Sequence, residues 1–101
     1  YSVSGVDLIS AKKAKSLISS GNVQYIIDVR THMEWKAGHY TGAKHIPINK
    51  ISKKNSKNLD KNKGIITYCN TGQRARAGAE RLKALGFKKV FYIDSTYTTL
   101  L

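Results

Sequence analysis

Short β-like apolar runs alternate with segments of helical spacing along this 101-residue chain, and few architectures accept that order. Each run is closed by a turn residue, which is how strand–helix–strand units are written. Val6–Ile9 reads as a weak first strand. Ser10 then looks like the N-cap of a helix with Ala11, Ala14, Leu17 and Ile18 on one face, stopped by Gly21. Gln24–Val29 is rich in β-branched and aromatic residues without a break, as a strand buried on both faces would be. Thr31-His32-Met33-Glu34 has the form of a capping box and predicts a short helix over His32–Ala37, halted by Gly38. Pro47 lacks an N–H, so the short strand Lys44–Ile48 belongs at a sheet end or edge. Ile65–Tyr68 is the clearest buried strand. It runs into Cys69-Asn70-Thr71-Gly72-Gln73-Arg74 and then into a helix whose apolar face is Ala75, Ala79, Leu82 and Leu85. Gly86 is the expected residue after that helix, with Phe87 folding back on Leu82, and Val90–Ile93 is the last strand. Right-handed crossovers then place helices on both faces of a mostly parallel sheet, in one α/β domain over residues 1–101.

The chain carries 18 Lys and Arg against 6 Asp and Glu, a net charge of +12. A solvated lysine surface, a nucleic-acid footprint and a field that gathers a small anion all fit that balance. The lysines cluster at 12–15, 50–63 and 83–89, spread along the chain without interleaved aromatics, which argues against nucleic acid. Apolar runs such as Tyr25-Ile26-Ile27 are too short to span a bilayer. Ser52–Lys63, rich in lysine, serine and asparagine, reads as a surface excursion. One cysteine permits no intramolecular disulfide.

That cysteine sits where a buried strand ends and a helix begins, the place where open α/β sheets bind ligands. The turn from Cys69 to Arg74 would aim successive backbone N–H groups inward, toward the helix N-terminus, making a nest for an anion or a thiolate. Cysteines in such settings become nucleophilic at neutral pH. Gly72 permits the positive φ of a tight turn, and the planar fork of Arg74 can pin loop carbonyls or a bound oxyanion. A buried cysteine of the core is the bland alternative. The reactive reading requires a sulfur both ionised and exposed to solvent.

Ile27-Asp28-Val29-Arg30, Glu34-Trp35, Gly38-His39-Tyr40 with Gly42-Ala43, and His45-Ile46-Pro47 resemble the N-terminal signature of rhodanese domains. Cys69-x-x-Gly72-x-Arg74 is similar to that family's active-site loop, and the likeness runs from about residue 6 to 93. The resemblance implies a doubly wound fold around a five-stranded sheet. It also implies sulfur transfer: Cys69 would take the sulfane sulfur of thiosulfate or a similar small anionic donor. It would hold that sulfur as a persulfide and pass it to cyanide or another thiophilic acceptor, possibly a protein. On this reading the loop residues Asn70, Thr71, Gly72, Gln73 and Arg74 bind the substrate, and no metal or cofactor is needed. A non-catalytic persulfide carrier or redox-sensing module fits the same loop.

Spacing separates this from cysteine phosphatases, whose loop is Cys-x5-Arg: Ala75 occupies the arginine position here. Asp28 is expected to be structural, accepting hydrogen bonds near the site. Arg30 is expected either to orient the substrate anion or to brace the loop. His32, His39 and His45 match no usual zinc spacing, and in the family the positions of His39 and His45 belong to a structural turn. Trp35 is expected in the core. Two departures stand out. Asp94-Ser95-Thr96 replaces the family's paired glycines, and Tyr97–Leu101 lacks its tryptophan, so a rebuilt or truncated C-terminal wall beside the site is expected. The opening Tyr1 in place of methionine, and the resemblance to an exported bacterial rhodanese type whose loop also begins Cys-Asn, slightly favour an expectation of the periplasm over the cytoplasm.

Overall fold

The computed structural model describes residues 6–101; residues 1–5 of the expected domain lie outside the described residues. The chain runs through β1 (Val6–Leu8), α1 (Ala11–Ser19), β2 (Tyr25–Asp28), α2 (His32–Ala37), β3 (Lys44–His45), β4 (Gly64–Tyr68), α3 (Gln73–Ala84) and β5 (Lys89–Tyr92). Short 3-10 turns follow β3 at Ile48–Lys50 and β5 at Tyr97–Leu100. The strands form a five-stranded sheet in the order β1-β5-β4-β2-β3, and every pairing is parallel. The central strand β4 is buried throughout, as its apolar run implies.

Alternation along the strands sorts side chains to two cores. Ile27, Val29, Ile65, Ala79, Leu82 and Phe87 pack between the sheet and α3. Ala14, Ile26, Ile66, Tyr68, Ile93 and Leu100 pack on the opposite face, beneath α1 and the final 3-10 turn. Each fully buried Leu, Ile or Phe contributes about 1.5–3 kcal/mol. One buried polar group interrupts the α3 face, and it is satisfied: Thr67 Oγ1 donates to the Ala75 carbonyl at 2.8 Å. That bond fastens the first turn of α3 to β4 beside the cysteine.

Local signals set the ends of the helices. Ser10 accepts from the Lys13 N–H, and Thr31 and Glu34 form the reciprocal capping box of α2. The expected strand Lys44–Ile48 is regular only over Lys44–His45. Ile46 and Ile48 still donate to the Asp28 and Val29 carbonyls, but Pro47 between them has no N–H to give and the chain turns away. The excursion over 52–63 carries exposed lysines 53, 54, 57, 61 and 63 and is pinned to the α3-side core by Ile51 and Leu59. Among the described residues, no helix is long and apolar enough to cross a membrane.

Candidate active site

β4 ends at Tyr68, and the next residue, Cys69, turns its sulfur back under the start of α3. Sγ accepts from the Gly72 N–H at 3.1 Å and the Ala75 N–H at 3.3 Å. Both amides sit at the N-terminal end of a 12-residue helix, where the helix carries its partial positive charge. The loop reaches this shape because Gly72 adopts φ 98°. A Cβ there would also lie 2.8 Å from Cβ of Asp94, so the tail after β5 closes against the loop. Gly72 was an expected donor; Ala75, one residue past Arg74, was not. Among the described residues these two amides donate to the sulfur.

The expectation of an exposed sulfur is corrected. Cys69 is 0% exposed and packs with Val29 and Ala75 in the α3-side core. One geometry causes both effects: turning the sulfur toward the first amides of α3 also tucks it beneath that turn. Two clefts flank the loop. One, of about 470 Å³, has an apolar floor including Val29 and Ile48, with Arg74 and Lys50 among its lining side chains. The other, of about 210 Å³, includes Thr71, Gly72, Gln73 and Asp94. Cys69 lines neither of them.

Arg74 was expected to pin loop carbonyls or a bound oxyanion. Its fork instead lies on the Glu34 carboxylate of α2, with Nη1 to Oε1 at 2.6 Å and Nη2 to Oε2 at 3.0 Å. Asn70 Nδ2 donates to the same Oε2 at 2.7 Å. The Arg74 fork, followed by the Thr31 N–H, lowers the Glu34 pKa from 4.5 to about 2. Thr71 and Gln73 are exposed on the outer side of the loop.

Behind the loop stands a second pair. The Asp28 carboxylate accepts from the Arg30 backbone N–H (2.9 Å), from Arg30 Nε (2.9 Å) and Nη2 (2.7 Å), and from the Tyr68 hydroxyl (2.7 Å). Asp28 is thus placed as a hub of hydrogen bonds. Arg30 Nη2 also donates to the Gly38 carbonyl at 2.6 Å, and the guanidinium lies 5.4 Å from the centroids of both the Tyr68 and Tyr97 rings. With these bonds made Arg30 is 5% exposed, and it also lines the larger cleft. Bonding to Asp28 holds the Arg30 guanidinium above its ordinary pKa. Burial raises the Tyr68 phenol in the same direction, and its bond to Asp28 adds to the shift.

Sequence reasoning missed three parts of this arrangement. Glu34 was visible as a helix cap and in the signature, but not as the partner of Arg74 and Asn70. Tyr68 was visible only as a strand residue, although a phenol at the end of a buried run needs a partner for its hydroxyl. Tyr97 gave no signal beyond being aromatic, yet its ring covers Arg30. The tail after β5 thus closes on the site through Asp94, against Gly72, and Tyr97, over Arg30. Trp35 is half-buried rather than core, stacked between His39 (centroids 3.4 Å apart) and His45 (4.8 Å). His45 Nε2 meets the Arg30 carbonyl at 2.8 Å, and His39 Nδ1 meets the Trp35 carbonyl at 2.9 Å. Among the described residues no three His, Cys, Asp or Glu side chains gather as a metal site would require.

Comparison with known proteins places this geometry. The family described as Rhodanese-like domain matches residues 10–99. The chain is 32% identical over 90 residues to the putative sulfur carrier protein YrkF of Bacillus subtilis, covering 89% of this chain and 48% of that protein. It is 32% identical over 90 residues to a tRNA uridine(34) hydroxylase of Buchnera aphidicola, covering 84% of this chain and 28% of that one. The chain thus spans less than half the length of both relatives. Among solved structures, a rhodanese-like domain protein from Staphylococcus aureus superposes with a TM-score of 0.78 at 25% identity, over 94% of this chain and 91% of that one.

Proposed function

The chain belongs to the rhodanese-like domain family, and from that premise we propose that it is a sulfurtransferase working through a persulfide on Cys69. The observation that carries the reading is the pair of α3 amides, Gly72 and Ala75, directed at Sγ. The thiolate attacks the sulfane sulfur of thiosulfate or a similar anionic donor. The donor's S–S bond breaks, and sulfite leaves with the bonding pair. The outer sulfur of the Cys69 persulfide is then attacked by cyanide or a thiol, and the Cys69 thiolate is regenerated. Two half-reactions joined by a covalent intermediate give ping-pong kinetics. Preorganised amides supply the stabilisation of charge, so no general base is required once the thiol is ionised. Because Sγ is fully enclosed, each half-reaction requires the loop or its neighbours to open. Loop opening of this kind is a familiar control on turnover.

Intact mass after incubation with thiosulfate tests the reading. We expect the mass of about one sulfur atom to be added, removed by cyanide, and absent in Cys69→Ser, because the thiolate is the nucleophile. An unchanged mass in the native protein would sink it. The enclosure of Sγ also favours a second reading, a carrier that holds the sulfur for a protein acceptor. The Bacillus relative's name supports that reading. Steady-state thiocyanate formation separates the two: a carrier loads once and fails to turn over with small acceptors.

A further inference from the structure

The capping box of α2 uses one oxygen of Glu34: Oε1 accepts from the Thr31 N–H at 3.0 Å and from Thr31 Oγ1 at 3.1 Å. Capping leaves the other oxygen without a task. That oxygen, Oε2, is taken by the active-site loop, with Asn70 at 2.7 Å and Arg74 at 3.0 Å, while a second arm of Arg74 reaches Oε1 at 2.6 Å. Asn70 directly follows the cysteine, and Arg74 directly precedes the Ala75 amide that donates to Sγ. One carboxylate therefore ties both ends of a loop whose middle, Gly72, supplies the other donor to the sulfur. A planar fork on a carboxylate fixes direction as well as distance. Here the carboxylate is itself fixed by the helix cap.

We propose that Glu34 is a positioning residue: acting through Arg74 and Asn70, it holds the Cys69–Arg74 loop in the shape that keeps the Gly72 and Ala75 amides on the sulfur. The inference deepens the sulfurtransferase reading and takes its meaning from it. Its first test does not depend on sulfur transfer. Glu34 never meets the reacting atoms, so the effect of losing it travels through Arg74. Removing Glu34 as a mere negative charge would make the thiol easier to ionise. Removing it as a positioning group lets the two amides drift and makes ionisation harder. The two roles predict opposite signs.

The experiment is the pH dependence of Cys69 alkylation by iodoacetamide in Glu34→Ala, Glu34→Gln, Arg74→Ala, the Glu34→Ala/Arg74→Ala double variant and Thr31→Ala. Melting temperature is measured alongside. The midpoint is read rather than the rate, because the rate also reflects access to a buried sulfur. We expect the midpoint in Glu34→Ala to rise by about one unit, tenfold less thiolate at a fixed pH below it. Arg74→Ala should show a similar rise and the double variant no more than Arg74→Ala, the mark of two groups acting as one. Glu34→Gln, which keeps an acceptor, should fall between and covers the case in which Glu34→Ala does not fold. Thr31→Ala, which removes Oγ1 but keeps the Thr31 N–H on Oε1, should lower the melting temperature and raise the midpoint less than Glu34→Ala does. A lowered midpoint in both Glu34 variants, additive shifts in the double variant, or an unmoved midpoint with only a melting loss would each overturn the proposal. Persulfide loading of the native protein is measured in parallel. If it fails while the midpoints behave as stated, the sulfur-transfer reading falls and the positioning role stands.

Discussion

Among the described residues three arginine–carboxylate pairs lie at increasing exposure. Asp28–Arg30 is sealed, with side chains 0% and 6% exposed, whereas Glu34–Arg74 is half-open at 28% and 35%. Arg76–Glu80 lies on the outer side of α3 at 3.6 Å, mostly in solvent. The chemistry of the pairs is the same; their surroundings assign different work. A sealed pair supports the fold, because breaking it strands a charge away from water. A half-open pair can hold a loop and still release it. A solvated pair does little of either. The net charge of +12 therefore says little about the site, where Arg30 and Arg74 are both matched by carboxylates.

The contrast breaks most readily at its sealed end. Asp28→Ala leaves the Arg30 guanidinium buried without its partner and should cost about 3–5 kcal/mol by urea unfolding. Replacing both members, as in Asp28→Leu with Arg30→Met, should cost clearly less than Asp28→Ala alone, because no charge is then stranded. If the single and double replacements cost the same, the pair does not support the fold.

A smaller effect sharpens the middle case. The folded-state pKa of Glu34 lies near 2 against an ordinary 4.5, so its clamp stabilises the loop fully above about pH 4.5. That contribution is lost as pH falls from 4.5 toward 2. Hydrogen exchange at the Gly72 and Ala75 amides should accelerate, relative to amides in β4, across that window. The same profile should be flat in Glu34→Gln; an equal acid response in that variant would assign the transition to another group. At the solvated end, Arg76→Ala should change stability by no more than about 0.5 kcal/mol. A loss of 2 kcal/mol there would erase the ranking by exposure.

Much of this architecture was legible in the sequence, but unevenly. Helix starts at Ser10 and Thr31 and the buried run of β4 could be read because each depends on side chains a few residues apart. Cys69 could be placed at a strand-to-helix junction for the same reason, and Gly72 could be assigned a positive φ. The sealed sulfur could not be read. Whether a side chain at that junction faces solvent or the first turn of its helix depends on how closely α3 sits on the sheet, and Thr67 and the tail at Asp94 set that closeness. The fork of Arg74 was legible as a charge without an address. Its partner lies 40 residues away on α2, a separation no local period encodes.

The order of strands and helices, the helix caps at Ser10 and Thr31, the central apolar strand and the lone cysteine at its end were determined by sequence alone, since sterics, hydrogen-bond caps and side-chain periodicity act over one or two turns. Tertiary structure decided which carboxylate meets which arginine, that the Tyr68 hydroxyl ends on Asp28, that Tyr97 closes the wall, and that the sulfur lies covered. Those outcomes follow from the parallel register of β2 on β4 and the seating of α3, where packing brings distant residues within hydrogen-bond reach.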